Sequence, residues 1–457
     1  MRRAFTSAGV RGAREDMTAA DGQHGAQALL RALYDAAVAA AHPDACLTPH
    51  LPQVPDGGRI VIVGAGKAAA AMAVAAERFY REAGAVDRIT GFVTAPRGTV
   101  AALPAAPSVL RVVEARHPTP DASSARAAEE SLALVRSAGE KDLVLVLFSG
   151  GASALWAAPA AGLSLADKIA LTRGLLKSGA DIYEMNTVRR HVSRIKGGRL
   201  RMATPARMLT LAISDVPRDD PATIGSGPTV PDATTLADAR AVLERRGAGM
   251  RALGLEVPQA VAAILADPAN ETPKPDNPAF SSAEYRIIAT PARALEAAAQ
   301  VAAKASYEVV NLGGDLTGEA REVAAAHAGL GREAKAAGRK AAILSGGELE
   351  VTVRNAGGRG GRCQEYALAL ALALRGTPGI AALAADTDGI DGGEGRTTDP
   401  AGAIVDAATA SGARLADAQK ALDNNDATTF FEAAGGLLVR GPTHTNVNDF
   451  RAILIDP

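Results

Sequence analysis

Apolar runs of strand length that end in small or charged residues recur along this 457-residue chain, and that pattern limits its possible folds more than any other. Residues 59–63 run into Gly64-Ala65-Gly66-Lys67, and residues 143–148 into Ser149-Gly150-Gly151-Ala152-Ser153. Residues 208–213 open into Ser214-Asp215, 309–312 into Gly313-Gly314-Asp315, and 341–344 into Ser345-Gly346-Gly347-Glu348. Residues 380–384 lead to Asp386-Thr387-Asp388-Gly389-Ile390-Asp391. A continuous apolar run of this kind is a strand buried on both faces of a parallel sheet. In such a sheet the strands' carboxyl ends share one edge, where α/β proteins bind their ligands. Helical, alanine-rich segments such as 27–42 and 319–337 separate the strands. The chain therefore reads as α/β, with a polar, glycine-lined ligand edge drawn from both halves.

Domains run roughly 100–200 residues, so this length holds two of them. A Pro-, Asn- and Asp-rich stretch at 267–282 reads as the connection, with the second half restarting at the strand 285–289. The expected division is an extension at 1–23, poorly ordered or mis-started, a domain at 24–280 and another at 281–457. Residues 1–16 are Arg-rich without a signal-peptide core, and translation from Met17 is an equal reading. A net charge of −1 gives no global field to recruit nucleic acid or a membrane surface. No apolar run is long enough for a transmembrane helix. Two cysteines, Cys46 and Cys363, are too few for a disulfide framework. The expected protein is cytoplasmic, without nucleic-acid or membrane partners.

The chemistry concentrates in a few turns. Residues 349–353 alternate as a strand does, then Arg354, Arg359 and Arg362 stand among Gly357, Gly358, Gly360 and Gly361, ahead of an Ala/Leu-rich helix. Glycines allow close backbone approach, a helix N-terminus favours anions, and arginines bind phosphate or carboxylate in a plane. The loop reads as an anion cradle, or else as a hairpin with solvated arginines. Cys363 within it is an accessible thiol or a space-filler. Gly64, Gly66 and Ala69 also satisfy GxGxxG/A, which opens a dinucleotide-dependent reductase reading. Against that, Lys67 suits a transferable phosphate or a carboxylate, and the next strand ends at Ala95-Pro96-Arg97 with no acid for a ribose. His117 is a base, a phosphate contact or a hydrogen-bonded loop residue. Arg189, Arg190, Arg194, Lys196 and Arg199 make 186–200 the most basic stretch, either a solvated face or a substrate-facing cluster. Asp215, Asp388 and Asp391 lie just past strand ends, where carboxylates can hold Mg²⁺.

Taken together these turns resemble the type 2 glycerate kinases, which carry a C-terminal MOFRL region. The resemblance runs from about residue 24 to the end, through VGAGKAAAAMA at 63–73, HPTPD at 117–121, MNTVRRHVSRIKGGRL at 185–200 and SDVPRDDPATIGSGPTVPD at 214–232. It continues through SGGELEVTV at 345–353, GRGGRCQEYALALA at 358–371, TDGIDG at 387–392 and GPTHTNVNDFRAILI at 441–455. It implies a larger N-terminal α/β/α Rossmann-like domain and a smaller mixed α/β C-terminal domain, with MOFRL at about 338–455 and the active site in the interdomain cleft. It implies transfer of the ATP γ-phosphoryl group to the 2-hydroxyl of D-glycerate with Mg²⁺, by a monomer or homodimer. The alternative is an NAD(P)H-dependent hydroxypyruvate or tartronate-semialdehyde reductase. The catalytic residues expected are Lys67, Arg362 and Asp215. Substrate or nucleotide contacts are expected from Gly64, Gly66, Ser149, Gly150, Gly151, Ser153, Arg190, Gly346, Gly347, Glu348, Gly361 and Asn446. The expected Mg²⁺ ligands are Asp215, Asp388 and Asp391. Departures from the family pattern are Cys363 for a usual Asn, Arg218 for a usual Gly, Asn448 for a usual Met, and Leu349-Glu350 for a Thr pair.

Overall fold

A computed structural model describes the backbone of residues 8–393 and 395–457, and the side chains from Gly25 onward with the same single gap. The expectation for residues 1–7 lies outside the described residues; from Ala8 the backbone is helical as far as Ala41. The chain forms two compact units. One comprises Ala41–Thr290 with His444–Val447, the other the residues up to Ala40, Pro291–Thr443 and Asn448–Pro457.

The unit of Ala41–Thr290 is built on a six-stranded sheet: β1 (Ile60–Ala65), β2 (Ile89–Pro96), β3 (Arg111–Ala115), β4 (Leu143–Phe148), β5 (Arg207–Ile213) and β6 (Ala283–Ala289). All neighbours pair in parallel, in the order β3-β2-β1-β4-β5-β6. This is the doubly wound order, whose direction of winding reverses between β1 and β4. Every residue of β1 and β4 is buried, as their unbroken apolar runs require. Burying a Val, Leu or Ile side chain contributes about 1.5–3 kcal/mol, so these two strands anchor the unit. The helix Ala69–Glu82 presents five consecutive buried residues, Ala69 to Ala73, letting it lie close to the sheet. Trp156, 1% exposed, fills the space behind β4, its ring edge-on to Phe148. The strand 285–289, expected to open the second half, is instead part of β6 and the last strand of this first sheet. Its pairing with β5 buries Ile288 and Ala289, an interaction that no local pattern announces.

The other unit carries a mixed sheet: β7 (Glu308–Asn311), β8 (Ala341–Ser345), β9 (Ile380–Asp386), β10 (Gly402–Asp406), β11 (Leu437–Leu438) and β12 (Asp449–Ile455), ordered β11-β10-β9-β12-β8-β7. Only β7 and β8 pair in parallel. The helix Arg362–Leu374 is apolar on nearly every side and buried from Cys363 to Ala371, as a helix at the centre of a core should be. It packs on β9, β10 and the helix Ala320–Ala336, where Tyr366 and His327 share a 2.7 Å hydrogen bond. Residues 349–353, expected as a strand, are not one. Glu350 makes a single parallel bridge to Glu319, and the rest is loop held by Glu319 and Asn425.

Candidate active site

The reversal between β1 and β4 puts two small-residue turns side by side. Gly66 adopts φ 143°, and a Cβ there would fall 2.1 Å from Ser149 Oγ, so only glycine lets the turns touch. The contact is sealed by two hydrogen bonds: Lys67 N–H donates to Gly150 O at 2.8 Å, and Ala68 N–H to Ser149 Oγ at 2.9 Å. Gly151 lies against His117, where an added Cβ would sit 2.9 Å from Nε2. Gly150 faces the end of β5: its Cβ would be 1.9 Å from Asp215 Oδ2 and 2.5 Å from Asn446 Nδ2. Asn446 donates to Asp215 Oδ2 at 2.9 Å, reaching it from a loop 231 residues away. Ser153 Oγ pairs with Ser226 Oγ at 2.8 Å. Lys67, Ser149, Gly150, Gly151, Asp215 and Asn446 thus gather at one sheet edge. Gly64 stands apart from them inside β1, where it allows the backbone to pass the Leu147 carbonyl.

His117 is the titratable group most altered here. Burial, and then the charge of Lys67, depress its pKa from about 6.5 to about 4, so at neutral pH it is an uncharged imidazole beside a cation. In the unfolded chain it takes up a proton below about 6.5. Between those values the unfolded state binds more protons, so this contribution to stability is lost as pH falls from about 6.5 to about 4. His117→Asn is expected to flatten that part of the pH profile of the urea midpoint. An unchanged acid slope would contradict the burial of His117 beside Lys67.

The basic stretch is sorted by its partners. Arg190, expected to bind a ligand, is buried and committed to Asp232 Oδ1 at 2.8 Å and to the Ala222 carbonyl. Arg194 pairs with Glu129, and Arg199 donates to the carbonyls of Ser193, Asn270 and Glu271. His191 lies between Thr187 O and Glu271 Oε1. Arg218, where the family pattern has Gly, holds the left-handed conformation at φ 61°, with its guanidinium over the Tyr183 ring.

In the other unit the expected anion cradle is filled by the chain itself. Asp391 sits at the N-terminus of the helix Arg362–Leu374 and accepts Cys363 N–H at 3.0 Å and Gln364 N–H at 2.8 Å. Gly361 leaves the room for it: a Cβ there would be 2.2 Å from Asp391 Oδ1. Burial pushes the Asp391 carboxyl up to about 7 against the pull of those two N–H groups and Arg362. Asp391, expected as a Mg²⁺ ligand, therefore has both oxygens engaged as a helix anchor. Arg362 is held by three carboxylates: Asp449 at 2.8 Å, Asp386 at 2.7 Å and Glu348 at 3.3 Å. Burial alone would weaken its proton, but Asp449, Asp386 and Glu348 raise its pKa further, so it is a permanent cation. Arg451, 1% exposed, shares Asp449 and donates to the carbonyls of Gly346 and Gly347. Cys363 is buried, a space-filler. Asp388 accepts Ile390 N–H, and its own N–H donates to Asp386 Oδ1. Arg359 pairs with Glu432.

Two cavities lie elsewhere. One of about 320 Å³ lies between Arg414 and Phe430. The other, of about 370 Å³, opens at the amino ends of β4, β5 and β6, the edge opposite the glycine turns.

Residues 29–266 match a domain of unknown function, DUF4147, and residues 341–449 match the MOFRL family. D-glycerate 2-kinase of Thermotoga maritima is 37% identical over 90% of this chain and 94% of that protein. The crystal structure of a glycerate kinase from Thermotoga maritima superposes with a TM-score of 0.80, at 35% identity, covering 94% of this chain and all of that one. The chain belongs to the glycerate kinase family. It is a kinase of α/β fold, with the parallel six-stranded sheet and mixed second sheet described above. A relative in Agrobacterium vitis, 47% identical over 94% of both chains, is named provisionally as a hydroxypyruvate reductase. Among the described residues no helix is long and apolar enough to cross a membrane.

Proposed function

We propose that the protein transfers the γ-phosphoryl group of ATP to the 2-hydroxyl of D-glycerate, giving 2-phosphoglycerate. The observation that carries this reading is the junction at the β1/β4 reversal, where a lysine, glycine turns and a carboxylate meet. Phosphoryl transfer is catalysed mainly by positioning and charge neutralisation, and these residue types supply both. In this reading Lys67 neutralises charge on the transferred group, and Asp215, oriented by Asn446, accepts the hydroxyl proton or helps hold a metal. Arg362 keeps its proposed role as a fixed cation.

Mg²⁺ is usually held by one or two carboxylates together with substrate phosphates and water. Asp215, at the glycine-turn junction, suits that use, whereas Asp391, with both oxygens on backbone N–H groups, does not. Among the described residues no group of three or more His, Cys, Asp or Glu converges as an all-protein metal cage. When bound, the ion would neutralise phosphate charge.

The reductase alternative takes its support from the fingerprint glycines and the name of the Agrobacterium relative. It needs free N–H groups before the helix Ala69–Glu82 for a pyrophosphate. Those of Lys67 and Ala68 are already donated to Gly150 O and Ser149 Oγ. One assay separates the two: ATP- and Mg²⁺-dependent product that enolase consumes directly, against NAD(P)H oxidation by hydroxypyruvate alone. Lys67→Ala and Arg362→Ala are each expected to lower kcat/KM at least about tenfold, or about 1.4 kcal/mol. Wild-type kinetics in both folded variants would remove the assignment.

A further inference from the structure

We propose that Lys168, Arg189 and Lys196 form an oxyanion-binding site behind the β4 turn that receives a carboxylate or phosphoryl group of a substrate. Three cations from three segments act on one another here. The charge of Arg189 bears on Lys168, and both bear on Lys196. No acidic group figures among the charges on either lysine, and among the described residues none of the three forms an ion pair. Lys168 is 5% exposed, and its buried ammonium nitrogen has no hydrogen-bond partner among the described residues. Lys196 is 1% exposed and donates to Ser153 O, Ser153 Oγ and Gly225 O at 2.9, 3.1 and 3.1 Å, which ties the cluster to the β4 turn.

A neutral donor lies in the same network. Asn186 Oδ1 accepts from Ser226 Oγ at 2.9 Å, and Ser226 pairs with Ser153, while the buried Asn186 Nδ2 has no partner among the described residues. Asn186 and Arg189 are three apart on the helix Ile182–His191 and so share a face. Arg189 is the least buried of the three cations. Ser226 is held at φ 64° between Gly225 and Gly227, themselves at φ 60° and 64°, a strained placement of the kind found where a side chain must be aimed.

Buried charges in folded proteins are paired or neutralised. Burial and Arg189 depress Lys168 to about 7, which is a site that wants either to lose its proton or to gain an anion. A planar guanidinium, two ammonium groups whose charges act on one another and an amide N–H suit an oxyanion. The proposal rests on the kinase reading only for the source of that anion, which is the glycerate carboxylate or a phosphoryl group.

The test is calorimetric titration of the full-length protein at pH 7, without nucleotide or metal, with inorganic phosphate and separately with D-glycerate. The wild type is expected to bind at least one of them, and Lys168→Met to weaken that binding at least tenfold. The free variant should unfold at the same temperature as wild type or higher, because an unpartnered buried cation has been removed. Arg189→Gln, at the exposed side, should weaken binding similarly and provides the readout if Lys168→Met does not fold. Binding of phosphate alone assigns the site to a phosphoryl group, and binding of glycerate alone assigns it to the acid. The proposal is overturned if neither anion binds the wild type, or if the folded variants bind as the wild type does. Anion binding without kinase turnover would keep the site and remove the kinase reading.

Discussion

Asp449→Ala is expected to destabilise the protein by about 3–5 kcal/mol, the usual cost of removing one partner from a buried ion pair. Asp449 is fully buried and accepts from two arginines, Arg362 Nε at 2.8 Å and Arg451 Nη1 at 3.1 Å. Without it Arg362 retains Asp386 and Glu348, but Arg451, 1% exposed, keeps among the described residues Ser345 Oγ, two backbone carbonyls and the Tyr366 ring. That leaves a guanidinium inside the core without the carboxylate it is paired with. Asp449→Asn keeps a hydrogen-bond acceptor in place and should cost distinctly less. Urea unfolding at pH 7 reads both. A loss below about 1 kcal/mol for Asp449→Ala would mean that the arginines are solvated and the network is not a buried one.

Gly150→Ala is expected to behave in the opposite way, leaving stability almost unchanged while lowering kcat/KM about a hundredfold, or about 2.7 kcal/mol. The three atoms nearest the new methyl belong to two side chains: Asp215 Oδ2 at 1.9 Å, Asn446 Nδ2 at 2.5 Å and Asp215 Cγ at 2.6 Å. Both can swing aside without disturbing the backbone, so the fold survives. The Asp215–Asn446 hydrogen bond does not, and a displacement of about 1 Å in a reacting group is enough for such a loss. Comparison with Asp215→Asn separates position from charge. Normal kinetics in Gly150→Ala would show that Asp215 need not be held where it is.

The residues of the β1/β4 junction were legible because strand-end chemistry is local. An apolar run followed at once by small polar residues declares both the strand and the turn at its end, as with Lys67, Ser149 and Asp215. The sorting of the arginines was not legible. Arg190 and Arg189 are neighbours in sequence, yet one is buried against Asp232 and the other has no carboxylate partner among the described residues, since adjacent helical residues point in different directions. Asp391 was misread for a related reason. Its acidic turn looks like a metal ligand until the helix Arg362–Leu374, which begins 29 residues earlier in the chain, brings its N-terminus to that carboxylate.

Hydrophobic periodicity and turn chemistry alone determined the α/β class, the buried strands β1 and β4, and the glycine turns that meet at their ends. Those signals depend on residues within a few positions of one another. Tertiary structure decided the rest: the order β3-β2-β1-β4-β5-β6, the place of β6 in the first sheet, the loss of a strand at 349–353, and the pairing of Asn446 with Asp215. Each of these depends on which distant segment supplies the hydrogen-bond partner or the opposite charge. A backbone or carboxylate group is satisfied equally well by near or remote partners, so packing chooses among them.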